Sequence, residues 1–142
     1  MLTIEDTREL IVPHNNVVQM LFAKDGQGTA NVTAKHFLES ALRMRPERIL
    51  LQELRDGTVF FYLRNVNSSH PGSITTIHAD STALAFEQPA LLVKESEGCS
   101  YLVRGDIRAV LKMLVDVVVQ TQKTGGELRV TEIFCDPESR LC

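Results

Sequence analysis

The chain has 142 residues, 44% of them hydrophobic and 23% charged, and a formal net charge of −3 at pH 7. That matches one ordinary globular domain and excludes a disordered, collagen-like or coiled-coil chain; a globule of this size hides roughly 68% of the surface its open chain exposes. Apolar runs stop at four or five residues, far short of the ~20 that span a bilayer, no basic-then-apolar leader opens the chain, and the mildly acidic balance lacks the footprint of direct nucleic-acid binding.

In chain order, Leu2-Thr3-Ile4 is a short apolar run ending at Glu5-Asp6 and reads as a buried strand. The polar stretch Lys24-Asp25-Gly26-Gln27-Gly28 reads as a loop inside the domain. Ala34, Phe37, Leu38, Ala41 and Leu42 recur at helical spacing behind a Thr33 cap. Pro46 stops that helix at Arg45, because the residue before a proline avoids the α conformation. Ile49-Leu50-Leu51, ending at Gln52-Glu53, is a second strand, and Val59, Phe60, Leu63 and Val66 make a shorter helical stripe. Ser73 to Ile77 is a third strand, ending at His78. Asp106 is expected to cap a further helix with Ile107, Val110, Leu111 and Leu114 on one face. The last third turns β-rich, with Val115 to Val119, a Gly125-Gly126 turn signal, Leu128, and Val130 through Phe134. It reads as a terminal hairpin with a long loop, from about Gln120 to Gly126.

Strands alternating with helices imply crossover connections and a mainly parallel sheet, whose ligands bind outside the carboxyl ends of the strands. Glu5, Asp6, Glu53 and His78 all stand at such ends, so one side of the sheet collects two or three carboxylates and an imidazole. Cys99, Cys135 and Cys142 are odd in number and form no C-x-x-C pair, which argues for reduced thiols rather than a disulfide framework or a zinc site. His14 and His36 read as surface residues.

Three segments carry a family resemblance. Ile4-Glu5-Asp6-Thr7-Arg8-Glu9-Leu10, then Arg48-Ile49-Leu50-Leu51-Gln52-Glu53-Leu54-Arg55, then Asn67-Ser68-Ser69-His70-Pro71-Gly72 running on to His78-Ala79, appear in order. They resemble the aspartate box (4–10), Walker B strand (48–55) and histidine box (67–79) of the traffic ATPases of bacterial type IV secretion, the P-type DNA-transfer branch of the secretion ATPase superfamily. The resemblance covers nearly the whole chain. It implies an α/β, RecA-like P-loop NTPase domain, with helices on both faces of a mainly parallel sheet and a carboxyl-terminal β-hairpin. Residues 1–142 would be the carboxyl-terminal part of that domain.

The bound pair implied is ATP with Mg2+. In-line attack on a γ-phosphate needs a positioned water, a magnesium ion and positive charge around the developing oxyanions. By the resemblance, Glu5 orients or deprotonates the water, and Glu53 holds magnesium or its waters. Asp6 and Arg55 stand beside the nucleotide and magnesium, and His70 and His78 sense the γ-phosphate. Arg43 and Arg45 are further candidates for contact with phosphate or a neighbouring subunit. The implied partners are five further copies in a homo-hexamer and other secretion-system components, which places the protein in the cytoplasm, peripheral to the inner membrane. There it would move DNA or protein, or assemble the secretion channel.

One family feature is missing from these 142 residues, the phosphate loop G-x-x-x-x-G-K-[ST]. Gly26-Gln27-Gly28-Thr29 and Lys123-Thr124-Gly125-Gly126 have neither its spacing nor its lysine. These residues alone are therefore expected not to hydrolyse ATP. Without the strand that carries the loop they are also expected to leave strand edges and apolar faces uncovered. Gln52, Thr58 and Ser69 depart from the residues usual in the family. Pro89 falls in a stretch, Leu84 to Val93, that the family folds as a helix, and predicts a kink or a restart there. Two other readings stay open: a non-enzymatic module that keeps the fold without the nucleotide, and a metal-dependent hydrolase using His70, His78, Glu53 and Asp6.

Overall fold

In a computed structural model, which describes residues 1–23, 32–68, 70–96 and 98–136, the chain divides into two units, 1–76 and 77–142. The Lys24 to Gly28 stretch, Ser69 and Cys142 lie outside the described residues. The first unit holds β1 (Leu2–Glu5), β2 (Val18–Leu21), α1 (Ala34–Met44), β3 (Ile49–Leu51), α2 (Thr58–Asn67) and β4 (Ile74–Thr75). Its four strands form one parallel sheet in the order β2-β1-β3-β4. The central strand β1 is buried along its whole length. Burial on both faces is what a near-continuous apolar run in a parallel sheet reports.

Strand β2 has no such run, and its residues are mostly exposed. Its ladder to β1 recruits it: the Val18 N–H donates to the Met1 carbonyl and the Phe22 N–H to the Glu5 carbonyl, both at 3.0 Å.

Helix α1 buries Ala34, Leu38 and Ala41 and packs against β1 and α2. At its start the exposed His36 ring accepts the Thr33 N–H at 3.1 Å, filling the return half of a capping box. Arg45 ends the helix in the left-handed conformation (φ 47°, ψ 52°) just before Pro46. Helix α2 starts after Asp56, whose Oδ1 accepts both the N–H (2.9 Å) and the hydroxyl (2.8 Å) of Thr58. It buries Val59, Tyr62 and Asn65. The inward line therefore swings away from Phe60 and Leu63, and a polar residue occupies its last turn.

The second unit holds α3 (Leu84–Glu95), α4 (Arg104–Leu114), β5 (Val117–Thr124) and β6 (Glu127–Cys135). Helix α3 runs through Pro89 without restarting, with the proline ring buried. Helix α4 begins at Arg104, so Asp106 is its third residue rather than its cap. There it complements the positive amino end of the helix dipole. Glu87 on α3 ties the two helices together by accepting Arg104 and the Arg108 Nε, the latter at 2.8 Å.

The expected long hairpin loop is a two-residue turn. Gly125 (φ 62°) and Gly126 (φ 89°) both take positive φ, the conformation whose twist matches the flanking strands. Pairing thus continues through the polar Gln120 to Thr124, with one irregularity between Gln120 and Thr121. The hairpin's inner face is fastened by the Phe134 ring, edge-on to Phe86 at 5.0 Å. The Gln120 amide adds a bond to the Ala79 carbonyl at 2.8 Å, and Glu132 accepts the Thr82 N–H at 2.9 Å. Val117, Val119, Leu128, Val130 and Ile133 on its other face are exposed. Cys99 and Cys135 are free thiols. The α/β class, the parallel sheet and the carboxyl-terminal hairpin agree with the sequence expectation. No helix among the described residues is long and apolar enough to cross a membrane.

Candidate active site

Strands β1 and β3 lie side by side and parallel, so the residues that follow them, Asp6 on one and Gln52-Glu53 on the other, meet outside their carboxyl ends. Arg55 binds both acids. Its Nη1 lies 3.3 Å from Asp6 Oδ2, and its Nε donates to Glu53 Oε2 at 2.6 Å. The Glu53 contact, opposed by burial and aided by the charges of Glu53, Asp6 and Asp56, pushes the guanidinium up from its ordinary value. Both acids keep 16% of their side chains exposed, opening on a cleft of about 210 Å³. Phe22, Ala34 and Leu51 form its apolar wall, and Asp56 and Thr58 bring in the start of α2.

Gln52 organises this corner. Its Oε1 accepts the Asp6 N–H at 2.8 Å, and its Nε2 donates to Glu9 Oε2 at 2.7 Å. Its main chain is fixed too, the N–H by the Ile4 carbonyl at 3.0 Å and the carbonyl by the Thr76 hydroxyl at 2.6 Å. Sequence reasoning noted Gln52 only as a departure from the family. The signal that could have found it is the one that found Glu53, a polar residue directly after the β3 run.

Glu5 takes a different role from the neighbouring acids. It is 0% exposed and does not line the cleft. Its Oε2 accepts the N–H groups of Glu9 (2.9 Å) and Leu10 (2.8 Å), anchoring the chain that follows β1. Burial pushes its carboxyl up, but the Leu10 and Glu9 N–H groups, with Thr3 and Arg8, outweigh it and hold the carboxyl below its ordinary value. Among the described residues its Oε1 has no hydrogen-bond partner. In this fold Glu5 is a buried loop anchor.

His70 lies at the other end of the strands, ahead of β4, and is 5% exposed. Its Nδ1 contacts the Pro46 carbonyl at 2.5 Å, so that nitrogen carries the proton. Its own carbonyl accepts the Ser73 hydroxyl at 2.7 Å, and Ser73 Oγ in turn accepts the Ile49 N–H at 3.0 Å. His70 thus braces the entries to β3 and β4. His78 belongs to the second unit and is exposed there. Arg43 and Arg45 are exposed at the end of α1 and do not line the cleft.

Residues 1–128 match the family of type II/IV secretion system proteins. The chain belongs to that family. It is 61% identical over 136 residues to the type IV secretion system protein VirB11 of Bartonella quintana, covering 96% of this chain and 38% of that protein. Among solved structures, the VirB11 ATPase of Brucella suis, in complex with sulphate, superposes with a TM-score of 0.84 at 39% identity. That match covers 96% of this chain and 41% of the Brucella chain. The Legionella pneumophila ATPase DotB (TM-score 0.69, 17% identity, 97% of this chain and 37% of that one) shares the fold. The chain thus spans about two fifths of the length of these secretion-family relatives.

Proposed function

We propose that this chain carries the acidic side of the nucleotide site of a type IV secretion motor that hydrolyses ATP to move DNA or protein or to assemble the channel. The observation that carries this reading is the convergence of Asp6 and Glu53 on Arg55, in a cleft at the carboxyl ends of a parallel sheet. The Brucella suis relative is an ATPase and was solved with sulphate.

Two carboxylates facing one cleft fit magnesium, which takes hard oxygen ligands, keeps several waters and shares its shell with phosphates. Among the described residues no group of three or more His, Cys, Asp and Glu could hold a metal. Asp6 and Glu53 would thus be the chain's own ligands, and the rest of the shell would be water and phosphate. Magnesium supplies charge neutralisation at the phosphates. The chain's residues join the two acids through Arg55, line the cleft with the apolar wall of Phe22, Ala34 and Leu51, and keep Asp6 in place through Gln52. Glu5 contributes by anchoring the loop behind Asp6, and His78 remains the phosphate-sensing candidate of the histidine box. The hexameric ring, the other secretion components and the position at the inner membrane belong to the same proposal.

These 142 residues contain no phosphate loop and are expected to turn over no ATP by themselves. The test is magnesium-dependent ATP binding and hydrolysis, with Glu53→Gln as the control. Turnover by these residues that disappears in the control would show that another segment cradles the phosphates. Mn2+ binding that survives both Asp6→Asn and Glu53→Gln would sink the assignment of the acids.

A second reading, a non-enzymatic interaction module, is favoured by one observation, the exposed aliphatic face of the β5–β6 hairpin, where Leu128 is 74% and Ile133 66% exposed. Size-exclusion chromatography tests it. A soluble monomer counts against an uncovered interaction face, and concentration-dependent assembly supports one.

A further inference from the structure

We propose that Gln52 is a positioning residue that fixes the Asp6 carboxylate over the cleft by clamping the main chain on which it stands; the functional part of this statement rests on the reading of Asp6 and Glu53 as magnesium ligands. Gln52 reaches from the end of β3 to the chain beyond β1 and engages it twice, its Oε1 accepting the Asp6 N–H at 2.8 Å and its Nε2 donating a hydrogen bond to Glu9 Oε2 at 2.7 Å. The amide oxygen and nitrogen are used in opposite senses, so the orientation of the side chain is determined by its two partners. The Gln52 main chain is tied to the sheet rather than to the loop, its N–H to the Ile4 carbonyl and its carbonyl to the Thr76 hydroxyl.

Glu9 links this clamp to the buried anchor, since its own N–H donates to Glu5 Oε2 at 2.9 Å. The result is a closed circuit: β3 through Gln52 to Asp6 and Glu9, and Glu9 through Glu5 back to β1. Asp6 lies inside that circuit and its carboxylate faces Arg55.

The experiment exploits the two-way use of the amide. Gln52→Met keeps the length and removes both bonds. Gln52→Glu keeps an acceptor for the Asp6 N–H but sets two carboxylates against each other at Glu9. Combining Gln52→Glu with Glu9→Gln reverses donor and acceptor and restores both bonds. Amide exchange at Asp6, read by NMR, is expected to speed up about tenfold in Gln52→Met and to return to the wild-type rate in the double variant. Mn2+ affinity, read by electron paramagnetic resonance, is expected to fall about tenfold in Gln52→Met, as for other residues that orient metal ligands, and to recover in the double variant.

Unchanged exchange at Asp6 in Gln52→Met, or the absence of rescue, overturns the clamp. Altered exchange with unaltered Mn2+ affinity overturns the positioning role and leaves a strut. If the wild-type chain binds no Mn2+, the magnesium reading fails and takes the positioning role with it. That failure is distinguishable because the exchange rescue reports on the clamp alone.

Discussion

The two ends of the parallel sheet in the first unit both gather polar side chains around β3, yet they are built on opposite plans. At the amino end, His70 is almost wholly buried, and its contacts are short bonds to main-chain groups of Pro46 and, through Ser73, of Ile49. At the carboxyl end, Asp6 and Glu53 keep part of their surface in a cleft and share Arg55, a partner that is itself half exposed. Buried polar groups bound to backbone carry fold stability, because each would be costly to leave unpaired. Partly exposed acids joined by one half-exposed cation carry little of it and are free to exchange that cation for another. The same residue types thus divide into architecture and chemistry by what they touch, and Glu5, next to Asp6 in sequence, falls on the architectural side.

The amino end should give the largest loss of stability. His70→Ala leaves the Pro46 carbonyl without its donor and opens a small cavity, at an expected cost of about 2–3 kcal/mol in urea unfolding, with Mn2+ affinity unchanged. A fall in Mn2+ affinity without a fall in stability would place His70 with the acids and dissolve the contrast between the two ends.

Glu5→Gln comes next, at about 1–2 kcal/mol, because an amide oxygen accepts the Glu9 and Leu10 N–H groups less strongly than a carboxylate. A sign in pH accompanies it. The Glu5 carboxyl is held below its ordinary 4.5, so its contribution is fully present above that value and is lost as pH falls through the folded pKa. Wild-type stability should decline on acidification below about 4.5, and the decline should be shallower in Glu5→Gln. Parallel acid profiles for the two proteins would mean that Glu5 does not sense its buried site.

Much of this contrast was legible before the fold. The strand-end rule located Asp6 and Glu53 at one corner, and periodicity located α1 and the existence of the hairpin. Burial was not legible: Glu5 and Asp6 are adjacent letters, but Glu5 is the last residue of a strand buried along its whole length and Asp6, just beyond it, lines the cleft. The motif context grouped His70 with His78, and the burial of His70 ahead of β4 was not legible in it. Strand β2 escaped notice because its ladder to β1, not its composition, makes it a strand. The hairpin turn was misjudged because the polar residues Gln120 to Thr124 pair across it by main chain.

At the carboxyl end, Glu53→Gln should leave the urea midpoint nearly unchanged, since its partner Arg55 is solvated, while removing Mn2+ binding. A large stability loss would make Glu53 architectural like Glu5, and would move the contrast from the ends of the sheet to each residue singly.

The smallest effect is expected in the second unit, where the distinction between touching backbone and merely facing charge can be checked away from any site. Asp106 is the third residue of α4 and is exposed, and the cap position belongs to Val103. Its contribution is a charge near the positive helix end, and Asp106→Ala should cost about 0.5 kcal/mol at low ionic strength and less in salt, where that attraction is screened. A true cap would cost about 1 kcal/mol, with little salt dependence, because a hydrogen bond to a helix N–H is local. The salt series therefore decides between the two roles more sharply than the magnitude does. A salt-independent loss would mean that Asp106 caps α4 in solution, so that the helix starts at Ile107, three residues later than its main chain indicates.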